Sequence, residues 1–164
     1  FALLSAKPML VLFNNDDGDG EVPEVDGMIA SEHCMSIQGK LEQELAQMTA
    51  GEADEFLKEF QIQETARQRI IQRSYQLLGL NSFFTVGKDE VRAWTVPQGT
   101  TAAVAAGTIH SDMQKGFIRA EVLAYDDLES TGSYPEARKK GLVRLEGKTY
   151  PVADGDIMEI RFNV

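Results

Sequence analysis

The apolar pattern changes its texture after residue 80, and no other feature constrains the fold as much. Upstream, apolar residues recur at helical spacing. Leu41, Leu45 and Met48 stand at i, i+4 and i+7, one stripe of a helix over 40–48. Thr49 followed by Glu52 reads as a capping box opening a helix over 53–60. Residues 64–78 give the clearest helix. Ile70, Ile71, Tyr75, Leu77 and Leu78 fall on one side, Arg67, Arg69 and Arg73 largely on the other, and Gly79 is the stop. Downstream the texture is that of short strands. Residues 82–86 and 91–96 read as strands joined by a hairpin turn over 87–90. A turn follows at Pro97-Gln98-Gly99, then a short helix over 100–106 capped by Thr100 or Thr101. A strand over 117–125, a helix over 134–140 ending at Gly141, and short strands over 142–145, 149–152 and 157–162 complete the chain. That order, β-β-α-β-α-β-β, predicts a small α+β domain with helices on a mixed sheet.

The first 40 residues have a different character. Met9-Leu10-Val11-Leu12-Phe13 is a continuous apolar run, which suits a strand buried on both faces in a parallel sheet. A second short strand is expected over 33–37. Between them, residues 15–23 form a loop rich in Gly and Asp. The sequence has no internal repeat and no low-complexity tract.

Charge limits the partners. The 164 residues carry 26 acids and 16 Lys plus Arg, a net of −10. A field of that sign repels polyanions, so only a local basic patch can engage nucleic acid. The acidity is uneven: residues 1–50 hold nine acids and two bases, whereas residues 81–164 hold twelve and ten. Cys34 is the only cysteine, so no intramolecular disulfide is possible, which fits a reducing, cytoplasmic setting. No apolar run approaches the roughly 20 residues that span a bilayer. The chain opens without Met inside an apolar stretch and is read as a piece of a longer protein.

A dense series of motifs runs through the second half. Val91-Arg92-Ala93-Trp94-Thr95 leads to Gly99-Thr100-Thr101-Ala102, Ala105-Ala106-Gly107 and Ile109-His110-Ser111-Asp112. Lys115-Gly116-Phe117-Ile118-Arg119-Ala120-Glu121-Val122 follows, then Leu145-Glu146-Gly147-Lys148-Thr149-Tyr150, Asp154-Gly155-Asp156 and Arg161-Phe162-Asn163-Val164. This series resembles the C-terminal half of the YchF / Obg-like ATPase family, relatives of the translation-factor P-loop GTPases that end in a TGS domain. The resemblance implies an α+β chain: a ubiquitin-like β-grasp TGS domain over 81–164, preceded over 1–80 by a partial α/β G-domain remnant with a helical connector. It implies a parent that binds ATP or GTP with Mg and associates with the ribosome.

The same resemblance gives roles to the first half. In the family a strand of the G domain reads Lys-Pro, an apolar run, then Asn-x-x-Glu, and carries base recognition. Here Lys7-Pro8 precedes the run and Asn14-Asn15-Asp16-Asp17 follows it. A carboxylate at the C-terminal end of a parallel strand can accept two N–H bonds from a guanine edge, and ligands sit at such strand ends in α/β sheets. Asn14 would tie the base loop together and Asp17 would read the base, with Gly39 and Lys40 in the second base loop. Asp17 stands where the family has Glu, Asn15 where guanine-specific GTPases have Lys, and Gln38-Gly39-Lys40 where the family has Cys/Ser-Ala-Lys. The choice between ATP and GTP stays open.

The chain has no G-x-x-x-x-G-K-[ST]. Without that loop there is no phosphate cradle and no Ser/Thr ligand for Mg²⁺, so no nucleotide turnover is expected of this chain alone. The remainder of a G domain would have to supply both. Asn15, Asp17, Asp19, Gly20 and Asp26 also match positions 1, 3, 5, 6 and 12 of a calcium loop, although a strand leads in and Pro23 takes position 9. A nucleotide-loop remnant and a plain solvated acidic loop are the other readings. His33, Cys34 and His110 are too few and scattered for zinc. His110 with Asp112 is either a base and its orienting carboxylate or a turn bonding its own backbone.

In the second half, Arg92 and Trp94 alternate onto one strand face. If that face is open, Arg92, Trp94 and Arg119 make an aromatic and basic platform for RNA; otherwise Trp94 fills the core. Lys115 and the cluster Arg138-Lys139-Lys140, with Arg144 and Lys148, are further candidates for a ribosome or structured-RNA contact. The competing class is a protein-interaction module that binds neither RNA nor nucleotide. No membrane partner is expected.

Overall fold

A computed structural model describes residues 3, 6–15, 22, 33–87 and 89–163. The chain divides into two compact units, Phe1–Leu78 and Gly79–Val164, each taken by itself.

In the first unit the apolar run becomes β1 (Val11–Asn14), paired in parallel with β2 (Cys34–Ile37), from Val11 opposite Cys34 to Asn14 opposite Ile37. Burial differs between the two strands. Cys34, Met35 and Ser36 are buried, whereas Leu12 is exposed and Val11 and Phe13 half-buried. The burial on both faces expected of the Met9–Phe13 run is therefore not found in β1; it is the partner strand β2 that is buried. Three helices follow: α1 (Gly39–Leu45), α2 (Ala50–Glu59) and α3 (Ala66–Leu77). Thr49 and Glu52 form the predicted capping box, so α2 starts three residues before the expected 53. A second box, Thr65 with Gln68, opens α3. There the Glu42 carboxylate also accepts the Ala66 N–H at 2.6 Å, fastening α3 to α1. The inward side of α3 is Ala66, Ile70 and Leu77. Ile71 and Leu78, expected on that side, are 53% and 58% exposed. Seven residues apart, they share the outward side. Gly79 follows α3 with φ +60°, a conformation that costs a side-chain-bearing residue and suits glycine.

The second unit holds β3 (Leu80–Val86), β4 (Val91–Pro97), α4 (Ala102–Ile109), α5 (Ser111–Lys115), β5 (Phe117–Ala124), α6 (Tyr125–Thr131), α7 (Tyr134–Lys139), β6 (Arg144–Glu146) and β7 (Asp156–Phe162). It is an α+β unit, as expected. Its sheet runs β4-β3-β7-β5-β6, with β3 and β7 parallel and the other neighbours antiparallel. Phe83, Val96, Ala120, Val122 and Met158 from one face pack on Ala102, Ala105 and Ala106 of α4. Those alanines carry little side chain, so the helix backbone can lie close to the sheet. The strand expected over 149–152 is reduced to one bridge, Thr101 with Pro151. Its backbone bonds the start of α4 instead, through Ala102 N–H to Tyr150 O and Val152 N–H to Thr100 O. Two short helices, α5 and α6, were not expected, because SDMQK and YDDLEST are polar and too short to show an apolar stripe.

Candidate functional site

The parallel pair ends where α1 begins, and two of the sequence-predicted residues meet there. The Asn14 side-chain carbonyl accepts the Gly39 N–H at 2.9 Å, joining the end of β1 to the loop after β2. A Cβ on Gly39 would stand 2.7 Å from the Asn14 Oδ1, so this approach needs glycine. Next to it, the Asn15 side-chain amide donates to Ser36 Oγ at 3.0 Å. Lys40 follows in the first turn of α1 with its side chain exposed. Asp17 lies outside the described residues, as do Asp19, Gly20 and Asp26 of the calcium pattern. Among the described residues no group of three His, Cys, Asp or Glu is placed to hold a metal. Close by, a cleft of about 430 Å³ is lined by Ser36, Gln38, Leu41, Glu42, Glu64 and Arg69. Arg69 donates to the Ser36 carbonyl at 3.2 Å, so it is engaged within the unit and not simply solvated.

The second unit separates residues that the sequence grouped. Trp94 stands opposite Phe83 in the β3–β4 ladder, and Phe83 is fully buried in the core, so Trp94 lies on the helix-covered face. It is half-buried there, its indole N–H donating to Thr85 Oγ1 at 2.9 Å and its ring lying 4.3 Å from the Arg92 guanidinium. Arg119 alternates with the buried Ala120 and Val122, so it points to the opposite face. The Arg92–Trp94–Arg119 platform therefore does not form: the sheet itself stands between its members. Alternation fixed which residues share a strand face; which face the helix covers is set by tertiary contacts. Lys115 is exposed at the end of α5, 4.0 Å from Asp112. His110 caps α5, its Nδ1 accepting the Asp112 N–H at 3.2 Å, so the backbone-bonding turn is what the residues make.

On the opposite face the centre is Glu121, a buried carboxylate. It accepts from Arg138 at 2.9 Å, from the Tyr134 hydroxyl at 3.1 Å, and from Arg161. Burial, then the bond to Glu121, pushes the Tyr134 hydroxyl above its ordinary pKa. Arg161 was missed from sequence. The signal was present, since Ile157, Glu159 and Arg161 alternate with the inward Met158 and Ile160, but without a register nothing placed Arg161 beside Arg119. The basic cluster is largely matched by its own acids. Lys139 pairs with Glu136 at 2.6 Å, and Arg144 with the buried Asp156 at 3.5 Å. Lys140 makes no ion pair among the described residues. Tyr150 joins the Arg144 group, donating to Asp156 at 2.8 Å and accepting from Arg144 at 3.0 Å. Burial first, and the Asp156 bond second, push its pKa up to about 12.

A family model described as YchF-GTPase_C, protein of unknown function (DUF933), matches residues 80–163. The ribosome-binding ATPase YchF of Bacillus subtilis (strain 168) is 43% identical over 171 residues, taking in 99% of this chain and 47% of that protein. Obg-like ATPase 1 of Rattus norvegicus is 39% identical over 171 residues, covering 98% of this chain and 43% of that protein. The chain thus spans about half the length of these curated relatives. The solved structure of the Schizosaccharomyces pombe YchF GTPase superposes with a TM-score of 0.66 at 34% identity, covering 78% of this chain and 34% of that one. A GTP-binding protein from Pyrococcus horikoshii OT3 reaches a TM-score of 0.51 at 21% identity, which is a likeness of fold. The match over 80–163 takes in more than half of the sequence, and the chain belongs to the YchF-GTPase_C family.

Proposed function

We propose that this chain is the C-terminal region of a nucleotide-dependent, translation-associated NTPase of the YchF type, acting in the cytoplasm. Residues 1–80 supply the base-recognition edge of its G domain, with the helical connector. Residues 81–164 form a TGS-type β-grasp domain that contacts the ribosome or its RNA. The observation that carries this reading is the bond from Gly39 N–H to Asn14 at the ends of two parallel strands. That bond braces the edge where an α/β sheet places a ligand, at the Asn the resemblance singled out. Asp17 and Lys40 would complete the base contact, to adenine or guanine. The phosphate loop and Mg²⁺ site would come from the remainder of the G domain in the longer protein, so this chain alone turns over no nucleotide. The β-grasp assignment is supported by the sheet order, which counted within the unit is 2-1-5-3-4 with α4 against one face. Ribosome contact is supported by the names of the similar proteins, ribosome-binding ATPases among them.

The matched charges in the Arg138–Arg144 stretch favour a second reading, docking of another protein on the same unit. Co-sedimentation with ribosomes over a salt series tests the proposal. An RNA contact predicts association at low salt that falls steeply as salt rises. Association insensitive to salt supports the protein-docking reading, and none at low salt rejects ribosome contact altogether.

A further inference from the structure

Resting on that RNA-contact reading, we infer that Arg119, Arg138 and Arg161 form a patch for the phosphate backbone of RNA, with Glu121 as the positioning residue. The patch lies on the sheet face away from α4. Arg119 on β5 is the direct cross-strand neighbour of Arg161 on β7. Arg138 reaches the same place from α7, because it and Arg161 share the Glu121 carboxylate.

Four features argue for a ligand. The Glu121 side chain is 7% exposed, while those of Arg138 and Arg161 are 58% and 54% exposed. Each guanidinium carries five N–H donors, and the Glu121 bonds occupy one nitrogen of each, so donors remain for a second anion. A guanidinium already fixed on a buried carboxylate loses little rotamer freedom when it binds, which favours a bidentate phosphate contact. Finally, like charges directly opposite on neighbouring strands destabilise a sheet. Arg119 and Arg161 stand so, and Arg119 makes no ion pair among the described residues. A phosphate between them turns that repulsion into attraction. Glu159 shares the face through its position opposite Glu121, which leaves the local balance at three arginines to two glutamates.

The test is fluorescence anisotropy of the full chain against a labelled ribosomal RNA hairpin, at salt concentrations from about 50 to 200 mM, a range over which phosphate contacts are lost. Arg119→Ala is expected to weaken binding roughly tenfold and to make the slope of log K against log salt shallower by about 1. Because Arg119 makes no bond to Glu121, this variant leaves the buried carboxylate untouched. Arg161→Lys keeps the charge beside Glu121 but loses the fork, so it is expected to weaken binding several-fold at an unchanged slope. Arg67→Ala, on α3, is expected to bind as the parent does. If the parent binds steeply with salt and both Arg119→Ala and Arg161→Lys bind equally well, the patch is wrong and the RNA reading survives. If the parent chain does not bind, both fall. Competition by polyglutamate as effective as by unlabelled RNA would assign the patch to an acidic protein and overturn the proposal.

Discussion

Gly39 and Asn14 are 25 positions apart, and one bond of 2.9 Å joins them. An alanine at 39 would put its Cβ 2.7 Å from the amide oxygen that accepts that bond. Gly39→Ala is therefore expected to break the bond and cost about 0.5–1.5 kcal/mol, the usual net worth of one hydrogen bond. Hydrogen exchange should show the amide at position 39 unprotected in the variant; retained protection would contradict the tie. Asn14 was legible in the sequence because a motif marks it. Arg161 was not, because its meaning depends on the strand opposite. Tyr150 makes a prediction of a different kind. Its folded pKa, near 12, lies above the ordinary 10.0, so its neutral hydroxyl contributes stability below pH 10. That contribution is lost as pH rises from about 10 toward 12. An ultraviolet titration should show a late phenolate step that Tyr150→Phe removes; an unchanged curve would contradict the buried bond to Asp156.

Among the elements, α2 was readable through its cap, which is written in two residues and needs no tertiary contact. The Thr49 backbone N–H and hydroxyl donate to the Glu52 carboxylate and hold its pKa below the ordinary 4.5. A depressed carboxyl stabilises above its ordinary pKa, and the support disappears as pH falls through the lower folded value. Acid should therefore fray α2 from Thr49 onward, visible in the carbon shifts of the Glu52 carboxyl. Thr49→Ala should cost about 1 kcal/mol, the common loss for an N-cap threonine, in denaturant unfolding; no change would mean the box adds nothing. Strand β5 was readable as a strand but not in its orientation. Its Ala120 and Val122, packed beneath α4, look no different in sequence from Leu123, which is buried on the other face. That ambiguity separated Arg119 from Trp94. Segments such as α5 and α6 carry too few residues for a period to show.

At the scale of the molecule, the apolar pattern changes after residue 80, and the chain divides into the compact units Phe1–Leu78 and Gly79–Val164. The core of Gly79–Val164 is made of its own residues, from Phe83 to Met158. That unit expressed alone is expected to fold cooperatively, and Phe83→Ala within it to cost about 3–5 kcal/mol. A non-cooperative melt of the isolated unit would contradict a self-contained core. The net −10 describes neither unit well, because most of the net negative charge lies in the first 50 residues. A nucleic-acid contact has to be local, and the central claim is that the second unit makes it. Nuclear magnetic resonance of the arginine Nε–Hε groups during titration with the ribosomal RNA hairpin tests this most directly. The account predicts that the signals of Arg119, Arg138 and Arg161 shift together while those of Arg67 and Arg73 on α3 stay in place. Shifts confined to Arg67 and Arg73, or no arginine shift at saturating RNA, would contradict it.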